Sequence, residues 1–527
     1  MFNSKPFRIL FGTLAIGSLV TLNACRDTQT QLEPASASTA NARLAADYMF
    51  YVLTDNNQLL KLNTQNPGVN MGTISITGIL NNERLVSIDF RPATGQLYAV
   101  SNGSRIYAIN LTNGAATALG SGPFSPGING DVVGFDFNPT VDRIRLVTNR
   151  GQNLRLNPET GAVMIVDGPI NGVPNVAVSG VAYTNNRSGV TTTTLYDIDP
   201  VTDKLYRQDP PNNGTLVEVG SLGVDIAGTG SFDIAPDGSA IATLISGTTQ
   251  GLYQVNLTSG RIERLGDLPG STSIVGLAIP TEPVAYAIDR FNNLITFNPT
   301  SPGSYVSKTL TGLAPNDMIY GIDFRPANGQ LYAVSNTSRL YTINTSSGAA
   351  TMVGSGPFSP AITGTDVGFD FNPTVDRIRL VTSSGQNLRL NPNDGTVAAI
   401  DGTLAYTSGS GNGAITAAAY TNNFAGATST VLYDLDSQLD RLVRQDPPNN
   451  GGLVTVGQLG VNIEGATGFD IGGSSNMAYA LLRTEVQTGS SAQQVTKVYQ
   501  INLGTGQATA VADFPLLARA MAVGLGF

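Results

Sequence analysis

The sequence predicts an all-β protein whose mature part is two tandem five-bladed β-propellers. Three observations predict it. Residues 120–158 align without gaps on residues 354–392, an offset of 234, with 33 of 39 positions identical. Each half carries five short apolar stretches at near-constant spacing, each followed by alternating strands and tight turns. Strand period 2 dominates, and no segment beyond the N-terminus sustains a helical period.

The N-terminus is read separately. Lys5 and Arg8 precede an apolar run over residues 9–22, too short for a transmembrane span and laid out as a signal peptide. It ends Leu22-Asn23-Ala24-Cys25, which resembles a bacterial lipobox, and the only cysteine of the chain stands where that motif requires it. The resemblance implies a diacylated Cys25 as first mature residue, held to the membrane through its acyl chains. Residues 26–47, rich in Thr, Gln, Ala and Ser, read as a tether. The expected domains are thus 1–25 signal peptide with lipobox, 26–47 tether, 48–280 first repeat and 281–527 second repeat.

Within each repeat, apolar-x-apolar stretches mark innermost strands. Their centres fall at 89, 136, 182, 233 and 278, then at 323, 370, 419, 470 and 526. Turns with Pro follow most of them (Arg91-Pro92, Asn138-Pro139, Ala235-Pro236). Alternating strands such as 96–100 and 105–110 come next, and a Thr/Ser-x-Gly turn introduces the last strand. Each half begins in mid-blade (residues 50–53 and 286–288) and ends on an innermost strand (275–279 and 523–527), as ring closure by the last strand requires. The junction at 280–285 is no longer than a hairpin, so one continuous ten-bladed ring or a strand-exchanged pair uses the same strands and stays open.

The combination IDFRP, QLYAV, GFDFNP, DRIRLVT and NLRLNP, present in both halves, resembles a bacterial domain family of unassigned function found in secreted and lipid-anchored proteins. The resemblance implies a propeller-type fold and no particular activity.

Composition narrows the chemistry. A net charge of −9 argues against nucleic acid, whose phosphates need a basic face. With no His, Ser-His-Asp catalysis and the commonest transition-metal ligand are excluded. One cysteine excludes an internal disulfide. There is no Trp, so a sugar-stacking face would rely on Tyr98, Tyr107, Tyr183 or Tyr196, which read first as strand core.

Three sets of residues remain. Asp89, Asp136 and Asp233, with Asp323, Asp370 and Asp470, occupy one place in successive innermost strands. Such a trio either binds a hard cation such as Ca²⁺ or accepts backbone amides and fixes blade geometry. Arg143, Arg145, Asn153 and Arg155, with Arg377, Arg379, Asn387 and Arg389, either hold an anionic ligand or form ion pairs with Asp136 and Asp142. The loops GSGPFSP and RQDPPNNG, intact in both halves, form a binding rim or simply strong turns. The functional expectation is a non-catalytic binding or scaffolding module, lipid-anchored at the bacterial cell envelope on the outer membrane or cell surface. It would meet an envelope protein or glycan and need no cofactor, Ca²⁺ being the ion the aspartates suit. The alternative is a metal-dependent hydrolase or glycan-active enzyme using Asp-lined channels.

Overall fold

The computed structural model describes residues 47–527 apart from 81, 229, 271–272, 409–412 and 489–490. The signal segment, Cys25 and the tether before Asp47 lie outside the described residues. No described helix is long and apolar enough to cross a membrane.

The described chain is all-β, two tandem domains of small antiparallel sheets. In the first half, four sheets each run through consecutive strands: Leu85–Phe90 to Ala116–Ala118, Val133–Asn138 to Val163–Val166, Gly180–Tyr183 to Leu216–Ser221, and Ser231–Ile234 to Ile262–Asp267. The fifth is assembled from both ends of the half. Ile274–Ala278 pairs antiparallel with Met49–Thr54, which continues to Gln58–Asn63 and Gly72–Ser75. The second half repeats this: Ala518–Val523 pairs with Ala285–Asp289, and four further sheets begin at Ile319–Arg325, Val367–Asn372, Ile415–Tyr420 and Glu464–Ile471. Each half therefore pairs its last strand with its own first strand, and neither passes a closing strand to the other.

One strand lies elsewhere than the sequence suggests. Residues 523–527 match the apolar-x-apolar pattern, but the innermost strand is Ala518–Val523. Residues 524–527 instead turn onto the first half, where the Gly526 amide donates to the Thr94 carbonyl at 2.8 Å. The physical reason is pairing: Ala518–Val523 finds a ladder with Ala285–Asp289, while the amides of Gly524 and Gly526 donate to the Val284 and Thr94 carbonyls.

Neighbouring innermost strands pack in cyclic order. Ile274–Ala278 meets Leu85–Phe90, then Val133–Asn138, Gly180–Tyr183 and Ser231–Ile234 follow, and the last meets the first again; the second half does likewise. Because both faces of every sheet are covered, each seam between sheets has its own core. Phe135, Phe137 and Tyr98 fill one seam, for example, and Phe232, Tyr253 and Leu205 another. The innermost strands approach so closely that some positions exclude a Cβ. At Gly368 an added Cβ would stand 2.7 Å from the Ala418 amide nitrogen and 2.7 Å from Val381 Cγ2.

Gly368→Ala should therefore destabilise the protein by roughly 1–3 kcal/mol through overpacking, read by denaturant unfolding of the full chain. An unchanged midpoint would contradict this packing.

Candidate carboxyl trios and buried arginine networks

The innermost strand of each sheet is an edge strand, so its amides on the axis side lack a ladder partner. Aspartates of the neighbouring strands supply the missing acceptors. Asp89 accepts from its neighbour Phe90 N at 2.7 Å and, across the seam, from Phe137 N at 2.8 Å. Asp136 accepts from Tyr183 N at 3.1 Å. Asp233 accepts from Ile234 N and Ile279 N, both at 2.6 Å, so it holds the closing strand. The second half reproduces every link: Asp323 to Phe324 and Phe371, Asp370 to Tyr420, Asp470 to Ile471 and Val523.

These clamps bring three carboxyl groups together in each half. One oxygen from each of Asp89, Asp136 and Asp233 lies within 4.8 Å of the others, and likewise for Asp323, Asp370 and Asp470. All six residues are 1% exposed. Burial, then mutual repulsion, holds the carboxyls of Asp89, Asp136, Asp323 and Asp370 well above the usual carboxylate range, while backbone amides oppose the shift. Burial pushes Asp233 and Asp470 up to about 7 against their amide bonds. Three buried like charges cannot all persist, so each trio needs protons or a cation. A hard cation needs six or more oxygens, whereas Asp89 and Asp233 already spend both oxygens on amides. The donor set suits a shared proton better.

The arginines form a second buried feature, with partners other than those the sequence suggests. Arg145, buried, donates to Asn153 Oδ1 (2.8 Å), Asp167 Oδ2 (2.7 Å), Asn212 Oδ1 (2.8 Å) and Tyr183 Oη (3.2 Å). Arg155 grips Asp167 with two bonds at 2.7 and 2.9 Å. Asn153 Nδ2 donates to the Gly168 and Pro211 carbonyls. Arg143 does not join them and donates to the Asp142 carbonyl. The carboxylate expected to pair here, Asp142, instead receives Arg91 at 2.9 and 2.5 Å, and Asp136 serves the trio. Arg379, Arg389, Asn387 and Asp401 repeat the network, while Arg377 donates to the Asp376 carbonyl. The RQDPPNNG loop enters it through Asn212 and Asn449, which locks that turn onto the preceding sheet.

Sequence reading overlooked three groups. Arg91 is buried and links its own sheet to Asp142, to Glu159 and to the Gly329 carbonyl of the other half. Asp197 and Asp434 are wholly buried, with no hydrogen-bond partner on either oxygen. Burial raises both against the attraction of Arg145 and Arg379, Asp434 to about 8. The signals were present as Asp in the repeated LYDID and LYDLD strands and Arg in the repeated IDFRP.

Raised carboxyls make a signed prediction. The folded state keeps protons that the unfolded chain releases near pH 4. Stability should therefore fall as pH rises from about 4 through about 7. Asp136→Asn keeps an oxygen for Tyr183 N and offers its NH₂ to the neighbouring carboxylates, mimicking the bound proton. It should match or exceed the parent at about pH 8 and flatten the pH dependence. Asp233→Asn turns an NH₂ toward an amide N–H and should cost about 1–3 kcal/mol at either pH. Chemical unfolding at both pH values reads this ranking, and the reverse order would contradict it.

No curated protein matches the chain. Among solved structures, the extracellular domain of the putative hybrid two component system BT4673 from B. thetaiotaomicron is 11% identical, with a TM-score of 0.25 over 90% of this chain and 72% of that one. PorZ, described as a bacterial surface component of the type-IX secretion system of Porphyromonas gingivalis, is 14% identical, with a TM-score of 0.25 over 87% and 65%. A family model matches residues 58–278 and again 293–524, nearly all of both halves. The chain belongs, in two tandem copies, to the family described as "Domain of unknown function (DUF4394)".

Proposed function

We propose that the protein is a lipid-anchored envelope component, held through Cys25, in which two five-bladed propellers form a non-catalytic binding or scaffolding module. The observation that carries this reading is a division of labour among residues. Text shared by the halves is spent on clamps and buried ion pairs, whereas one open cleft is lined mostly by text that differs between them. That cleft, about 720 Å³, lies where the halves meet. The loop after Gly180–Tyr183 contributes Arg187, Ser188 and Thr192, and the second half contributes Glu282, Phe297 and Tyr305. Ser188 Oγ lies 2.7 Å from Tyr286 Oη, which donates to the Ala93 carbonyl, so the wall is braced by contacts across the halves.

Hydroxyls, one carboxylate, one guanidinium and a half-exposed tyrosine ring suit a polyhydroxylated ligand, and an envelope glycan is the occupant this lining favours. The six trio aspartates are shut from solvent, which supports a structural rather than a hydrolytic use.

Binding of the full-length chain to an array of envelope glycans tests this. Tyr305→Ala, at an exposed strand position, should weaken the bound glycan roughly tenfold through lost stacking. Absence of any glycan ligand, or equal binding by the variant, would overturn the reading.

A further inference from the structure

The halves differ most sharply at one end of their innermost strands. In the second half a cavity of about 400 Å³ opens where these strands begin, lined by residues that start Ile319–Arg325, Val367–Asn372, Ile415–Tyr420 and Ala518–Val523. Arg290, Arg483 and Arg519 converge on it, with Tyr320, Leu517 and one carboxylate, Asp366.

Register identifies what stands at the same places in the first half. Arg519 occupies the bulge between Ala518 and Ala520, where the first half has Val275 between Ile274 and Gly276. Arg483 lies two residues beyond Leu481, matching Ile245 two beyond Thr243. Arg290 and Asp55 each precede by two residues the left-handed asparagine of the same turn, Asn292 and Asn57. Two apolar residues and an acid in one copy are thus three arginines in the other. The two halves share the scaffold, and this end of the second carries three arginines in a chain of net charge −9.

The arginines are not consumed by the fold. Arg290 stacks on Phe291, and Arg519 lies over the Tyr320 ring at 5.9 Å. Arg483 reaches the Ala518 carbonyl only at 3.5 Å, and its Nε is buried without a partner. Among the described residues none of the three forms an ion pair, whereas Arg145 and Arg379 each have an aspartate within 2.7 Å. Burial lowers the Arg519 pKa, and the charge of Arg483 adds to this against the pull of Tyr320 and Asp289. Further along the strands, a Cβ added at Gly321, Gly368 or Gly468 would stand 2.5 Å from Phe369 Cβ, 2.7 Å from the Ala418 nitrogen or 2.6 Å from Met521 Cβ, so the strands run close together there.

We propose that this cavity is a binding site for a small oxyanion, a carboxylate or phosphate group on a body no larger than a single sugar, held by Arg290, Arg483 and Arg519. Guanidinium forks match the planar carboxylate and the phosphate edge, and the tyrosine and leucine give the body an apolar wall. The site is separate from the cleft between the halves and stands whether or not that cleft holds a glycan.

Titration calorimetry of the full-length chain at low salt, with inorganic phosphate and with glucuronate as separate probes, tests this. The wild type should bind at least one of them at a single site, and the stronger probe tells phosphate from carboxylate. The double variant Arg483→Ile, Arg519→Val carries the residues the first half tolerates at these places and should bind roughly tenfold or more weakly. Arg290→Asp, at an exposed turn, should weaken binding several-fold. No binding of either probe by the wild type, or equal binding by both arginine variants, would overturn the proposal.

Discussion

A closed ring of separate sheets leaves one strand edge per sheet facing the axis, where no further strand can pair with it. Everything else in this molecule follows from how those edges are satisfied. Water is one general answer and a side-chain acceptor is another. Here aspartate does it at three seams in each half, one of them the closing seam, where Asp233 and Asp470 hold the last strand. A carboxylate is the only side chain that offers two acceptor oxygens without a donor, so it bridges an amide on its own strand to one on the next. The consequence is electrostatic. Clamping neighbouring strands at one level sets three carboxyl groups within 4.8 Å in a buried site, and protons or a cation must then neutralise what the hydrogen bonds assembled.

The two halves solve this problem identically and diverge elsewhere. Asp, Arg and Asn residues in the shared motifs build seams; Arg91 and Tyr286 build the contact between halves. What differs is exposed: the cleft beside Tyr305 and the arginine-lined end of the second ring. The open end of the second copy carries charge that the first lacks, while the buried clamps are the same in both.

Much of this was legible in the sequence because strands have a period of two and the repeat prints the same strands twice. The circular offset between Met49–Thr54 and Ile274–Ala278 is legible in the sequence, as is the gathering of three aspartates at one level in each half. Pairing across loops could not. Arg145 chooses Asp167, which lies beyond the next strand and is not singled out by spacing, over the nearer Asp136 and Asp142. The final strand was displaced by the pattern itself, since Leu525 and Phe527 are more apolar than the alanines that fit the axis. The arginine cavity escaped for a different reason. Attention to identities between the halves passes over the positions where they differ, and Arg290, Arg483 and Arg519 are visible only as differences.

We infer that proton sharing neutralises the carboxyl trios. Infrared difference spectroscopy of metal-free full-length protein at neutral pH tests it most directly, through the C=O stretch of protonated carboxylic acid. A protonated-carboxyl band is expected at neutral pH and should weaken in the Asp136→Asn, Asp370→Asn double variant, leaving the part due to Asp197 and Asp434. Carboxylates fully ionised at neutral pH, or protein that retains one Ca²⁺ per trio after chelation, would contradict it.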